Sequence, residues 1–194
     1  MKMKDPMLSK IQPMVRKELC ENTYQALNLL VDNSYSAQKY LFPQGIGSER
    51  GGFNEVCTIR LCTARGCGHT RGAARVAFER FNHVLCLAPK EVMAKNFFEQ
   101  FLQSVQEDAK VKKVSYQIQS RASMDITFDG SSYYFRGLGS NWDQIKEVAS
   151  SIQLEAVFVD CASMVSQKQV DEIYEFLGHE MMKTTGYPFF IFME

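Results

Sequence analysis

Thr63-Ala64-Arg65-Gly66-Cys67-Gly68-His69-Thr70 joins two stretches of opposite character. Residues 56–62 before it are apolar and β-branched, the pattern of a buried strand, and residues 71–81 after it repeat with helical spacing. Strand, glycine loop and helix in that order let backbone N–H groups converge on an anion at the helix N-terminus. A working phosphate loop needs close backbone approach, a cation at the terminal phosphates and a hydroxyl for Mg²⁺. Gly66 and Gly68 supply the first and Thr70 the third. The position before Thr70, where a lysine normally reaches the β- and γ-phosphates, holds His69. Imidazole is shorter than lysine and, at its ordinary pKa, is expected to be mostly neutral near pH 7. Arg65, Arg71 and Arg75 are the candidates to replace the missing charge.

The second half of such a site is an acid at the end of a neighbouring strand. Leu154-Glu155-Ala156-Val157-Phe158-Val159 is an apolar run closing on Asp160, well placed to order a Mg²⁺ shell with Thr70. Asp160 could equally cap the turn that follows. After it a glutamate is needed to polarise the attacking water, and the chain has Cys161, with no other acid in the next four residues. A neutral thiol cannot do that work. No His or Asn partner for Cys161 can be located from sequence, so it reads as a small core thiol.

From residue 54 onward strands and helices alternate, the mark of a mainly parallel sheet covered on both faces. The spacing predicts strands over 84–88, 114–118, 124–128, 132–136, 154–160 and 188–193. Helices are predicted over 90–105, 141–150 and 165–177. Asp129-Gly130 is a hairpin turn signal. Residues 7–41 are amphipathic and read as two N-terminal helices, with Pro13 able to break the first. A glycine-rich link follows over 43–52. The expected division is therefore an N-terminal helical segment with linker, residues 1–53, and a phosphate-loop domain, residues 54–194.

Size and composition set the bounds. The 194 residues are enough to bury a core without staples, and 45% hydrophobic with 23% charged is ordinary for a globular protein. Lys+Arg and Asp+Glu both number 22, so net charge does not argue for a polyanion partner. No apolar run is long enough for a bilayer and the N-terminus lacks a signal-peptide core. A non-secreted setting with reduced thiols fits the six scattered cysteines. Cys57, Cys62, Cys67 and His69 match no standard zinc spacing, and Cys57 and Cys62 fall on opposite faces of one strand, so no zinc is expected.

The Arg65-x-x-Gly68-His69-Thr70 pattern resembles the arginine-led Walker A motif of viral large terminase subunits, which drive DNA into procapsids. Val157-Phe158-Val159-Asp160-Cys161-Ala162 resembles their Walker B strand. Between the two, the strand–helix unit after His83 and the hairpin around Asp129-Gly130 are similar to the family's intervening elements. The final strand at Phe189 to Phe192 sits where its coupling strand lies. The resemblance covers roughly residues 54–194 and implies a phosphate-loop α/β fold binding ATP and Mg. It places nucleotide contacts at Arg65, Gly66, Cys67, Gly68, His69, Thr70 and Arg71, and metal ligands at Thr70 and Asp160. It implies a virus-encoded protein working in the cytoplasm or nucleus of an infected cell, with DNA or a viral or host protein as partner and no membrane. Superfamily 1 and 2 helicase cores share the strand plan.

The departures at His69 and Cys161 bear on activity. Losing one electrostatic contact to the transition state costs about 10²–10³ in rate, and losing a general base about 10²–10⁴. The leading expectation is a pseudo-ATPase acting by binding. The alternatives are a live but unusual ATPase, with Asp160 still catalytic and an arginine replacing lysine, and an interaction module that binds no nucleotide. Tyr133, Tyr134, Phe135 and Arg136 are candidates for stacking on bases, though alternation sends Tyr133 and Phe135 to one face and Tyr134 and Arg136 to the other. Trp142 reads as a partner contact or a lid over the core.

Overall fold

The fold is built around residues 84–88, an unbroken apolar run that suits the middle of a sheet covered on both sides. The computed structural model describes residues 6–44, 53, 55–62, 68–113, 115–120, 123–139, 142–184 and 186–194, with side chains from residue 17 onward except at 120 and 184. Seven strands form one sheet: β1 (Thr58–Leu61), β2 (His83–Ala88), β3 (Gln119–Ser120), β4 (Asp125–Phe128), β5 (Ser131–Gly137), β6 (Ala156–Val159) and β7 (Phe189–Met193). Their spatial order is β1-β7-β6-β2-β5-β4-β3. The pairs from β1 to β5 are parallel, with Val84 opposite Ala156 and Tyr133, and Val157 opposite Phe190. Only the β5–β4–β3 edge is antiparallel. Asp129 and Gly130, both at positive φ, turn β4 into β5, as the sequence predicts.

Because side chains alternate along a strand, the sheet feeds two cores. Val84, Cys86, Phe158, Ile191 and Phe135 face one side, where α1 (Pro6–Leu41), α2 (His69–Arg80) and α3 (Glu91–Lys112) cover them. Leu85, Leu87, Val157, Val159, Phe190 and Phe192 face the other. There they meet α4 (Trp142–Ser151) and the C-terminal helical run. That run is α5 (Gln167–Glu172), a π-helical stretch (Ile173–Gly178) and α6 (His179–Thr184). Aromatic packing knits α3 to the sheet: Phe101 lies 4.4 Å from the Tyr133 ring, and Phe97 and Phe98 meet Phe135 edge-on.

Several expectations are corrected. The N-terminal segment is one 36-residue helix and not two. A proline inside a helix removes one hydrogen bond and kinks it, which a long helix can carry. Tertiary contact helps here, since Leu27 and Val31 are buried in the same core as α2. Residues 115–118 form no strand; the edge strand is the two-residue β3. Tyr133 and Phe135 are core residues and not stacking platforms, with Tyr133 donating to the Phe81 carbonyl at 2.9 Å. Arg136 is ion-paired with Asp125 at 2.6 Å. Trp142 opens α4, half-buried against the second core. No helix among the described residues is long and apolar enough to cross a membrane.

Candidate functional site

Parallel strands all deliver their carboxyl ends to one edge of the sheet, and ligands of open α/β sheets gather there. At this edge the residue after β6 is Asp160, and α2 begins beside it. Gly68 precedes that helix at φ 71°, ψ 28°, the left-handed conformation that favours glycine. It also packs against Cys20 of α1, whose Sγ would lie 2.1 Å from any added Cβ. The close approach and the backbone angle both require glycine. The Gly68 carbonyl accepts from the Gly72 amide at 2.9 Å, closing the first turn of α2. Arg65, Gly66 and Cys67, together with Thr63 and Ala64, lie outside the described residues.

The sequence reading puts the acid on a strand next to β1. In fact β7 lies between β1 and β6. Contact is made all the same, because the first turn of α2 reaches over the end of β7. Thr70 Oγ1 donates to both Asp160 carboxylate oxygens, at 3.1 and 3.3 Å. His69 Nε2 lies 3.2 Å from Asp160 Oδ1. The amide of Cys161 donates to the same oxygen at 3.0 Å. Asp160 itself is only 1% exposed, and a buried carboxylate requires such donors.

This geometry moves His69 away from the ordinary imidazole pKa. Its hydrogen bond to Asp160 raises its pKa above the usual histidine value, with burial opposing and the carboxylate's charge reinforcing. The imidazole Nε2 lies directly against the acid. Two of the arginines proposed as replacement charge are committed elsewhere. Arg71 is ion-paired with Glu107 of α3 at 2.5 Å. Arg75 bonds Glu21 at 2.7 Å and Glu79 at 2.9 Å, with its guanidinium 3.7 Å over the Tyr24 ring.

Cys161 follows Asp160 at φ 52°, ψ 44°, left-handed backbone that is costly for a residue with a Cβ. Its thiol is half-buried. Among the described residues, His69, Asp160 and Cys161 are a group whose potential ligand atoms all fall within 4.8 Å of one another. No sequence pattern announces this group, since its members come from two elements far apart in the chain. The only available signal is that each flanks a motif position. Cys57, by contrast, lies in the second core, and burial pushes its thiol up to about 12, so it stays protonated.

No family model matches the chain, and no curated protein does. Among solved structures the chain is similar to the ATPase domain of the Thermus phage P74-26 large terminase, with 16% identity and a TM-score of 0.48, over 69% of this chain and 58% of that one. It is similar to the large terminase of another thermophilic bacteriophage, with 13% identity and a TM-score of 0.43, over 70% and 32%. The HK97 bacteriophage large terminase gives 14% and 0.48, over 71% and 29%. The chain thus spans less than two thirds of each of these proteins. Likenesses at these levels carry nothing about ligand or activity.

Proposed function

We propose that the chain is a terminase-like phosphate-loop domain that has lost efficient ATP hydrolysis and acts by binding, with DNA or another protein as its partner. In this reading residues 54–194 are the phosphate-loop unit and residues 1–53 its helical attachment. The observation that carries it is the state of Asp160. The acid that should hold a metal is already bonded by Thr70 and His69, and the next residue is a thiol.

The donors fit magnesium in part. A hydroxyl and a carboxylate oxygen side by side are what a hard cation takes, and Thr70 and Asp160 provide them. His69 sits on the same carboxylate, so a second cation must displace it. Magnesium, when bound, supplies charge neutralisation at the terminal phosphates. The amide end of α2, with no acid in its first turn, favours an anion. Arg71 and Arg75 are paired with carboxylates in this structure.

The test is turnover and binding measured separately. Expected is ATP hydrolysis at background, unaltered by Asp160→Ala. Robust hydrolysis abolished by that substitution overturns the proposal and favours the active ATPase. Binding is read as thermal stabilisation by ATP·Mg²⁺, which at 100 times the dissociation constant adds about 2.7 kcal/mol. Its complete absence favours an interaction module that uses no nucleotide.

A further inference from the structure

We propose that His69, Asp160 and Cys161 form a binding site for a borderline-soft divalent metal ion of the zinc class. The three residues bring an imidazole nitrogen, a carboxylate oxygen and a thiol sulfur within 4.8 Å of one another. Two of these donors, His69 Nε2 and Asp160 Oδ1, are already 3.2 Å apart. Four-coordinate zinc, with nitrogen and oxygen at about 2.0–2.2 Å and sulfur at about 2.3 Å, needs neighbouring ligands roughly 3.3–3.8 Å apart. The sulfur must therefore close by roughly 1.5 Å at most, a side-chain adjustment.

The donor set chooses the metal. Thiolate is a poor ligand for magnesium or calcium and a good one for zinc or cobalt, and imidazole has the same preference. Three protein ligands leave the fourth position to water or an incoming group. The surroundings suit such a centre. Asp160 is buried, while His69 retains 17% side-chain exposure and Cys161 is half-buried, so an ion can enter from one side. Thr70 and the Cys161 amide fix the carboxylate from outside the triad, the role of outer partners at metal centres. The left-handed backbone at Cys161 is strain of the kind that functional sites retain. His69 and Cys161 are also the two positions at which the sequence departs from the terminase pattern. The inference stands on these side chains and needs no nucleotide.

The experiment uses the full chain, stripped with chelator and titrated with Co²⁺ or Zn²⁺ alone. The expected result is one cobalt per chain with a thiolate-to-cobalt charge-transfer band, which zinc then displaces. Cys161→Ser removes the band, and His69→Gln and Asp160→Asn weaken binding at least tenfold. A readout on the unaltered protein guards against variants that fail to fold. Zinc protects Cys161 from alkylation by iodoacetamide, mapped by peptide mass, while the exposed Cys62 remains open to it. The proposal is overturned if wild type gives no charge-transfer band, if Cys161→Ser keeps it, or if Cys161 is alkylated at the same rate with and without zinc. ATP is absent throughout, so failure here leaves the nucleotide reading untouched.

Discussion

Arg71 of α2 is held by Glu107 of α3, with its guanidinium 2.5 Å from the carboxylate. The pair lies on the outer side of two helices that pack closely together, and each side chain is more than a third exposed. Such a pair contributes about 0–1 kcal/mol, so its importance is directional: it points Arg71 toward α3. Arg71→Ala is therefore expected to leave the ATP-dependent shift in melting temperature unchanged and to alter stability by less than about 1 kcal/mol. A nucleotide shift abolished by Arg71→Ala means that Arg71 leaves Glu107 to contact the nucleotide.

Asp160 ties the end of β6 to the first turn of α2 through one carboxylate, accepting from Thr70, His69 and the Cys161 amide. Asp160→Ala leaves these donors without an acceptor at a buried site, which costs about 2–3 kcal/mol. Asp160→Asn keeps one acceptor oxygen and is expected to cost about half as much. Urea unfolding of chelator-treated protein measures both. Equal stability of wild type and Asp160→Ala means that the acid is not the junction described.

The elements are largely legible because each apolar run fits one period: residues 84–88 suit a buried strand, and the Asp129-Gly130 turn sets the hairpin it joins. What periodicity cannot reveal is which parallel strands are neighbours. That is decided by how the crossovers pack, and it puts β7 between β1 and β6. The site is legible as two separate motifs and not as one object. His69 reads as an ordinary turn residue until Asp160 is placed 3.2 Å away. The direction of its pKa shift then follows from the neighbour and not from its own sequence context. The helix through Pro13 escapes a sequence reading for a similar reason, since local propensity opposes a helix that tertiary packing further along supports.

Gly72 marks a close crossing of α1 and α2. A Cβ there would lie 2.9 Å from Thr23 Cγ2 and 3.2 Å from the Tyr24 amide. Two effects compete in Gly72→Ala. Helix propensity favours alanine by about 1 kcal/mol, while overpacking costs about 1–3 kcal/mol. The second wins because the Tyr24 backbone cannot rotate away, so a net loss of about 1 kcal/mol is expected. In a Thr23→Ser background, where the nearest clashing methyl is gone, the loss shrinks. Stabilisation by Gly72→Ala alone would show that α1 is not seated on α2 in solution.

The His69–Asp160 pair makes stability depend on pH, and its sign is fixed by the direction of the shift. The hydrogen bond to Asp160 raises the folded pKa of His69 above its usual value. The folded state therefore binds the proton more tightly than the unfolded chain, in which histidine titrates near pH 6.5. The resulting stabilisation is fully present below about pH 6.5 and is lost as pH rises through the higher folded value. Compared in chelator, wild type is expected to melt above His69→Gln near pH 6, with the gap narrowing as pH rises through the higher folded value and the imidazole loses its charge. Glutamine keeps a donor but carries no charge, so the narrowing gap reports the ion pair and not lost packing. A gap that stays constant across this range, or widens with pH, means that the imidazole is neutral in the folded protein and that the acid is held by Thr70 and the Cys161 amide alone.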